Sequence, residues 1–215
     1  MKNLATPFSL YLLLFFSSCT QPKKIKNQEI SNLKTSHFVD IRDGKKYKTV
    51  LIGNQWWMAE NLAFKTEGSV QVDGPDNRNY GRLYHWNEAL LACPKGWALA
   101  SDRDWTILET LISDNLNVFP GSTWRGKHGY LLKSLHNWKL DGNGIDKYGF
   151  NVHPAGHIID DSPPEFGYTA GYWTSSGSVE SGIAWVRFFA APKNGVNRLE
   201  SDINTTLLFC RCIKE

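Results

Sequence analysis

Four cysteines carry the sharpest chemistry in this chain of 215 residues: Cys19, Cys93, Cys210 and Cys212. Cys93 closes the stretch LYHWNEALLACPKGW (83–97), where Pro94 and Gly96 break an apolar helical run. A cysteine in that place can fill a core, hold a metal, act as a nucleophile or form half of a disulfide. The thiolate is the reactive form, and a nearby positive charge is what lowers a thiol pKa. Cys210 and Cys212 flank Arg211 near the C-terminal end. In an extended strand the two cysteines share one face and Arg211 points to the other, because side chains alternate. Cys210 therefore has no cation beside it on its own face, which argues against a nucleophile.

Oxygen and nitrogen ligands form the next set. Asp141-Gly-Asn-Gly-Ile-Asp146 crowds hard oxygens together, so Asp141, Asn143 and Asp146 are the candidates for Ca²⁺. The run is not an EF-hand: Ile145 stands at the fifth position and Val152 at the twelfth, where a bidentate Glu is needed. Asp, Asn and Gly also build turns without any metal. His153 and His157 are four apart, a zinc-like spacing on a helix, but Pro154 and Gly156 argue against a helix there. Both are expected to be ordinary loop or core histidines. The chain contains no GxSxG and no HExxH. No catalysis and no cofactor are expected, Ca²⁺ being the single candidate ion. Trp124, Arg125, Trp138, Asp141 and Asn143, with His128 and His136, lie in one stretch of little periodicity, 117–149. Aromatic faces beside amides and carboxylates suit a sugar or a peptide. The competing expectation is that Trp124 and Trp138 pin the stretch onto the domain.

Whether the cysteines are oxidised depends on where the chain resides. It opens MKNLATPFSLYLLLFFSSCTQ, with Lys2 as the only charge before an apolar run from Phe8 to Phe16. That run is shorter than the ~20 residues a membrane-spanning helix needs, so residues 1–18 read as a signal peptide. Small residues before Cys19 resemble a bacterial lipobox, although Phe16 stands where Leu is usual. The resemblance implies an acylated Cys19 as the first mature residue, and two acyl chains anchor a protein stably. Thr20 after it implies the outer membrane by the sorting rule of such lipoproteins. Residues 19–37 are polar and read as a flexible tether, rich in lysine. Residues 38–215 are one domain's worth of chain, enough for a real core. A formal charge of +3 leaves the domain nearly neutral and gives no electrostatic footprint for nucleic acid. An exported domain meets an oxidising compartment, where disulfides persist.

The elements that must position these residues follow from periodicity. YKTVLI (47–52) reads as a strand, Gly53-Asn54 as a turn and 65–80 as a loop. Leu83, Trp86, Leu90 and Cys93 recur at helical spacing, so a first helix is expected to turn Cys93 to the core. Ser101 and Asp104 form a capping-box-like pair before a second helix, whose Trp105, Leu108 and Ile112 share one face. It is expected to end before Asn115 or Asn117. YGFNV (148–152), GYWTSS (171–176), IAWVRFF (183–189) and TTLLFCRCI (205–213) read as strands, the last one terminal. The order implies α+β. A bridge from the helix end to the last strand would close more than a hundred residues. In the chain-entropy model that is worth about 4–5 kcal/mol. Cys93–Cys212 is the pairing taken, with Cys210 a buried free thiol. Cys93–Cys210 stays open, and Cys210–Cys212 is disfavoured because residues two apart in a strand splay.

Several stretches together resemble one family, the domain named after the major paralogous proteins of Fibrobacter succinogenes, common in Bacteroidetes lipoproteins. They are DGKKYKTVLIGNQWWMAENL (43–62), YGRLYHWNEALLACPKGWALASDRDW (80–105), DKYGFNVHPAG (146–156), GYWTSS (171–176) and FCRCIKE (209–215). The family's usual Arg-Cys ending matches Arg211-Cys212 and implies Cys212 as the partner of Cys93. Cys210 departs from that pattern. Trp86, Glu88, Ala89, Cys93, Gly96, Leu99 and Ala100 are also similar to the first-helix pattern of C-type lectin-like domains. That likeness implies two helices, a small twisted antiparallel sheet and a long loop region. The calcium motifs of those lectins, Glu-Pro-Asn or Gln-Pro-Asp with Trp-Asn-Asp, are absent. Formylglycine-generating-enzyme-like oxidoreductases share the fold, but their chemistry needs reactive cysteines, and here Cys93 and Cys212 are taken. The resulting expectation is a cell-envelope lipoprotein, anchored in the outer membrane, whose domain binds something without chemistry. Its partner is a glycan or, alternatively, an envelope protein for which it is a structural or interaction module.

Overall fold

The computed structural model describes residues 33–113 and 123–215. The signal segment, Cys19, most of the tether, and Asn115 and Asn117 lie outside them.

In chain order the strands and helices are β1 (Thr35–Val39), β2 (Lys46–Ile52), β3 (Gln55–Met58), β4 (Val70–Asp73), β5 (Asn79–Leu83) and α1 (Trp86–Ala92). Then come β6 (Trp97–Leu99), α2 (Asp102–Ile112), β7 (Trp124–Arg125), α3 (Gly129–Leu132) and β8 (Ile158–Ile159). The chain ends with β9 (Thr169–Ser178), β10 (Ile183–Ala190), β11 (Val196–Asp202), β12 (Thr206–Leu207) and β13 (Cys212–Lys214). The architecture is mixed α and β, with strand in excess of helix and all strand pairs antiparallel. One sheet runs β1-β2-β3-β13-β6 and another β7-β11-β10-β9, with the pairs β12-β8 and β4-β5 beside them.

Two apolar clusters hold these layers. One gathers Trp57, Trp105, Phe150, Tyr172 and Phe189, and the other Tyr47, Trp86, Trp173, Leu208, Cys210 and Cys212. Buried indoles need acceptors. Trp86 Nε1 donates to the Thr174 carbonyl and Trp173 Nε1 to the Tyr84 carbonyl, both at 2.8 Å. The edge strands of the first sheet approach each other, since Phe38 of β1 stacks on Trp97 of β6 with centroids 4.5 Å apart.

Helix α2 begins as expected, with Ser101 and Asp104 completing a reciprocal capping box, and it buries Trp105, Leu108 and Ile112. Helix α1 differs. It buries Trp86, Ala89 and Ala92, while Leu90 is exposed and Leu83 belongs to β5. Cys93 is the C-cap rather than a core-facing helical residue, and it is only partly buried. From that place it bonds to Cys212, 119 residues away, and Cys210 is a buried free thiol.

Other expectations are corrected. Residues 65–80 hold the hairpin partner β4 and its turn rather than a plain loop. YGFNV is no strand: Gly149 and Asn151 take positive φ, and only Val152 makes a bridge, to Lys133. Its Phe150 and Val152 are wholly buried, so the run is apolar for packing and not for pairing. The expected terminal strand divides into β12, bridges at Leu208 and Phe209, and β13. A bulge between Ala184 and Val186 interrupts the alternation in β10.

Candidate functional site

Charge is concentrated where α2 meets the second sheet. Glu109 is wholly buried on α2, and its carboxylate accepts from Arg187 Nε at 2.5 Å and from Arg125. His128 Nε2 lies 3.4 Å from the same carboxylate, also wholly buried. Two turns earlier, Asp102 accepts from Arg187 Nη1 at 2.8 Å and from both Nε and Nη2 of Arg198 at 2.8 and 2.9 Å. Burial pushes both carboxyls up, but the hydrogen bonds and charges around them outweigh it, so both sit below the usual carboxylate range. Arg198 in turn lies 3.5 Å over the Trp185 ring. Each guanidinium here has a carboxylate partner. The cluster locks α2, β7, β10 and β11 into one block.

That block decides the fate of Trp124 and Arg125. Neighbours on β7, they project to opposite faces. Arg125 is drawn to Glu109, whereas Trp124 stands opposite Asn197 at the sheet edge, half-buried. Trp138 is 5% exposed, and its indole N–H is shared between Ser134 Oγ and the Val152 carbonyl. Its own backbone N–H donates to Asn143 Oδ1 at 3.0 Å. Trp138 and Asn143 are thus partners within the loop. Asp141 is exposed, and Asp146 Oδ1 caps the Asn151 N–H at 2.7 Å. Burial raises the Asp146 carboxyl to about 6. Asn143 and Asp146 thus serve different backbone N–H groups while Asp141 is exposed, and among the described residues no group of three His, Cys, Asp or Glu is placed to hold a metal.

The loop is anchored from beneath by Lys133. Its wholly buried ammonium donates to the carbonyls of Ala190, Ala191 and Lys193 at 3.1–3.2 Å and faces the Trp138 ring. Burial lowers its pKa to about 8. Over this anchor the backbone is forced into left-handed conformations at Asn137, Leu140, Asp141 and Asp146. For Leu this conformation costs roughly 1–2 kcal/mol, and such outliers gather at functional sites. Leu140 is also 65% exposed.

One grouping was not read from the sequence. Asn137 Nδ2 donates to Tyr80 Oη at 3.1 Å, which ties the loop to the β4–β5 hairpin. Around that bond Asp76, Asn77, Arg78, His136 and Asn137 are exposed, above half-buried Phe166 and His153. Phe166 and His153 both pack on the Tyr80 ring, with centroids 5.2 and 4.9 Å away. Burial, with Arg211 adding, lowers His153 to about 4, so it is a neutral ring here. The Asp-Asn-Arg turn and Asn137 are 60 residues apart, and only the fold joins them. The sequence signal was weak: a hairpin turn rich in Asp and Asn, and an Asn with no structural partner nearby.

The remaining candidates are structural. His157 Nδ1 lies 3.0 Å from Thr169 Oγ1, with its ring against Phe188, and does not join His153 in a metal site. Burial, with Glu88 nearby, raises the Cys210 thiol well above its usual pKa, so it is no nucleophile.

A model of one protein family, the Fibrobacter succinogenes major domain, matches residues 50–214. No curated protein matches the chain, and no solved structure does.

Proposed function

The chain belongs to the Fibrobacter succinogenes major domain family, and from that premise we propose a non-catalytic binding domain, held on the outer membrane by an acylated Cys19. Its ligand is a glycan, taken at the meeting of the 134–146 loop and the β4–β5 hairpin. The carrying observation is the Asn137–Tyr80 bond, which fixes exposed amide, carboxylate and guanidinium groups over the half-buried Phe166 ring. A pre-set loop lowers the ordering cost of binding, and polar groups around an aromatic floor suit a sugar. Calcium is no part of this reading, because Asn143 and Asp146 are engaged with separate backbone N–H groups. A C-type lectin-like ancestry is part of the proposal and rests on the first-helix pattern.

A protein partner is the second reading. It is favoured by the exposed side chains of Leu135, Leu140 and Ile145 on that loop, with Tyr130 of α3 just before it. Full-length protein in detergent is screened on a glycan array, with calcium and with chelator. Asn137→Ala and Arg78→Ala are expected to lower the signal at least tenfold, with or without chelator. An array silent for the wild-type protein transfers the reading to the protein partner, for which Leu140→Asp must abolish crosslinking in the envelope.

A further inference from the structure

The most exposed large apolar side chains of the described residues are Ile41 and Leu91, at 93% and 83%. They come from different elements. Ile41 stands in the β1–β2 turn and Leu91 in the last turn of α1. The Arg42 guanidinium joins them: its Nη2 donates to the Ala92 carbonyl at 2.8 Å. The same Nη2 is held by Asp40 at 2.7 Å, and the guanidinium lies 3.7 Å over the Phe64 ring. The turn is therefore fixed against the helix end, which brings Ile41 and Leu91, the sequence neighbours of the two bonded residues, to the same end of the domain. Val39 and Leu90, 54% and 37% exposed, lie on the same two elements. Among the described residues nothing covers these side chains, and large apolar groups exposed together mark an interaction surface.

The rim of this tip is basic. Arg42, Lys45 and Lys46 follow Ile41, and Lys95 follows the Cys93 bend. Against them stand Asp43, Asp40, which is buried and already paired with Arg42, and Glu215, whose backbone N–H donates to the Gly96 carbonyl beside Lys95. The Phe38–Trp97 stack brings the Lys95 segment to the same end of the sheet as Val39. Apolar side chains projecting from a basic rim match an anionic lipid surface, where acyl chains lie beneath negative head groups.

We infer that the Val39–Lys46 turn and the end of α1 form a membrane-docking tip, which lays the domain on an anionic bilayer. The orientation draws on the anchored-domain reading above, while the chemistry of the tip does not. Residues 20–32 separate Cys19 from the described chain. Extended, they reach on the order of 45 Å. Strand β1 carries the chain about 17 Å from Thr35 to the tip. An anchor at Cys19 therefore permits the tip to touch the same membrane.

The test uses full-length protein on vesicles of phosphatidylcholine with phosphatidylglycerol, followed by hydrogen exchange. Backbone amides of 39–46 and 90–96 are expected to exchange at least fivefold slower on vesicles than in detergent. Ile41→Asp with Leu91→Asp should remove that protection while the anchor keeps the chain on the vesicle. Both side chains face solvent, so the substitutions leave the cores alone. Equal protection in wild type and double variant overturns the inference. So does a double variant that turns a solution dimer into a monomer, since the patch would then be a contact between copies. Cys19→Ala separates the two readings. If that chain pelleted with vesicles as the acylated one does, and the tip variant lowered its pelleting at least tenfold, the tip would stand without the anchor. If the Cys19→Ala chain pellets and its pelleting ignores the tip variant, the tip is rejected.

Discussion

Arg187 Nε donates to Glu109 Oε1 at 2.5 Å, with neither side chain reaching solvent. Glu109 is the anion shared by Arg187 and Arg125, so removing its charge leaves Arg125 without its carboxylate and Arg187 with Asp102 alone. Breaking a buried pair in this way costs about 3–5 kcal/mol. Glu109→Gln is expected to lose that much in urea unfolding, and Arg125→Met much less, because Arg125 is partly exposed. Equal losses would mean that the cluster is not centred on Glu109.

Acid should reveal two groups of opposite sign. Asp102 and Glu109 are held below their unfolded pKa, so their contribution is present above about pH 4.5 and disappears as pH falls through the folded value. Asp146 is raised from 3.8 to about 6, so its contribution is full below pH 3.8 and lost as pH rises to about 6. Asp146→Asn should therefore gain about 1–2 kcal/mol at pH 7 relative to pH 4, less than the shift alone implies because the group is partly solvated. A stability difference flat between pH 4 and pH 7 refutes the Asp146 assignment.

The cysteines should respond differently. Reducing Cys93–Cys212 releases a 119-residue link, worth about 4–5 kcal/mol in the chain-entropy model. Cys210 should resist thiol reagents in the native state and label only on unfolding. Mass spectrometry of the digested, non-reduced protein checks both. A labelled native Cys210, or a free Cys93, contradicts the structure.

Leu140 has φ 54°, and its side chain faces solvent. Leu140→Gly is expected to raise stability by about 0.5–1 kcal/mol, since glycine adopts that region without strain. If the loop binds a protein through Leu140, the stabilised variant loses that partner. Stabilisation and loss in one variant would show strain retained for recognition.

What was legible in the sequence was what local rules govern. The capping box at Ser101 and Asp104 depends on residues three apart, and α2 is where they placed it. GYWTSS and IAWVRFF carry dense β-formers and are β9 and β10. A bridge from Cys93 to the last strand was legible because few cysteines were available, while the preference for Cys212 over Cys210 leaned on the resemblance to the family's Arg-Cys ending. Local spacing misled at α1, where two adjacent leucines competed for one core-facing slot and alanines took it. Packing against Trp86 and Trp173 leaves little room, so the small side chains go inward. Arg187 and Arg211 are wholly buried, which no spacing in the sequence foretold. Arg211 is held by Asn61 Oδ1 and the carbonyls of Met58, Phe150 and Asn151 at 2.7–3.0 Å, partners 60 or more residues away. Such long-range satisfaction leaves no local trace. The candidate site failed for the same reason: Asn137 and the Asp76–Arg78 turn have no pattern in common until the loop crosses the hairpin.

Strand β13 lies between β3 and β6 in the middle of the first sheet, yet it comes after every other element in the chain. The sheet therefore has an empty slot until residues 212–214 arrive, and the disulfide has no second sulfur until then. During synthesis this sheet stays incomplete almost to the end, and a chain without Cys212 would lack an interior strand and its covalent lock together.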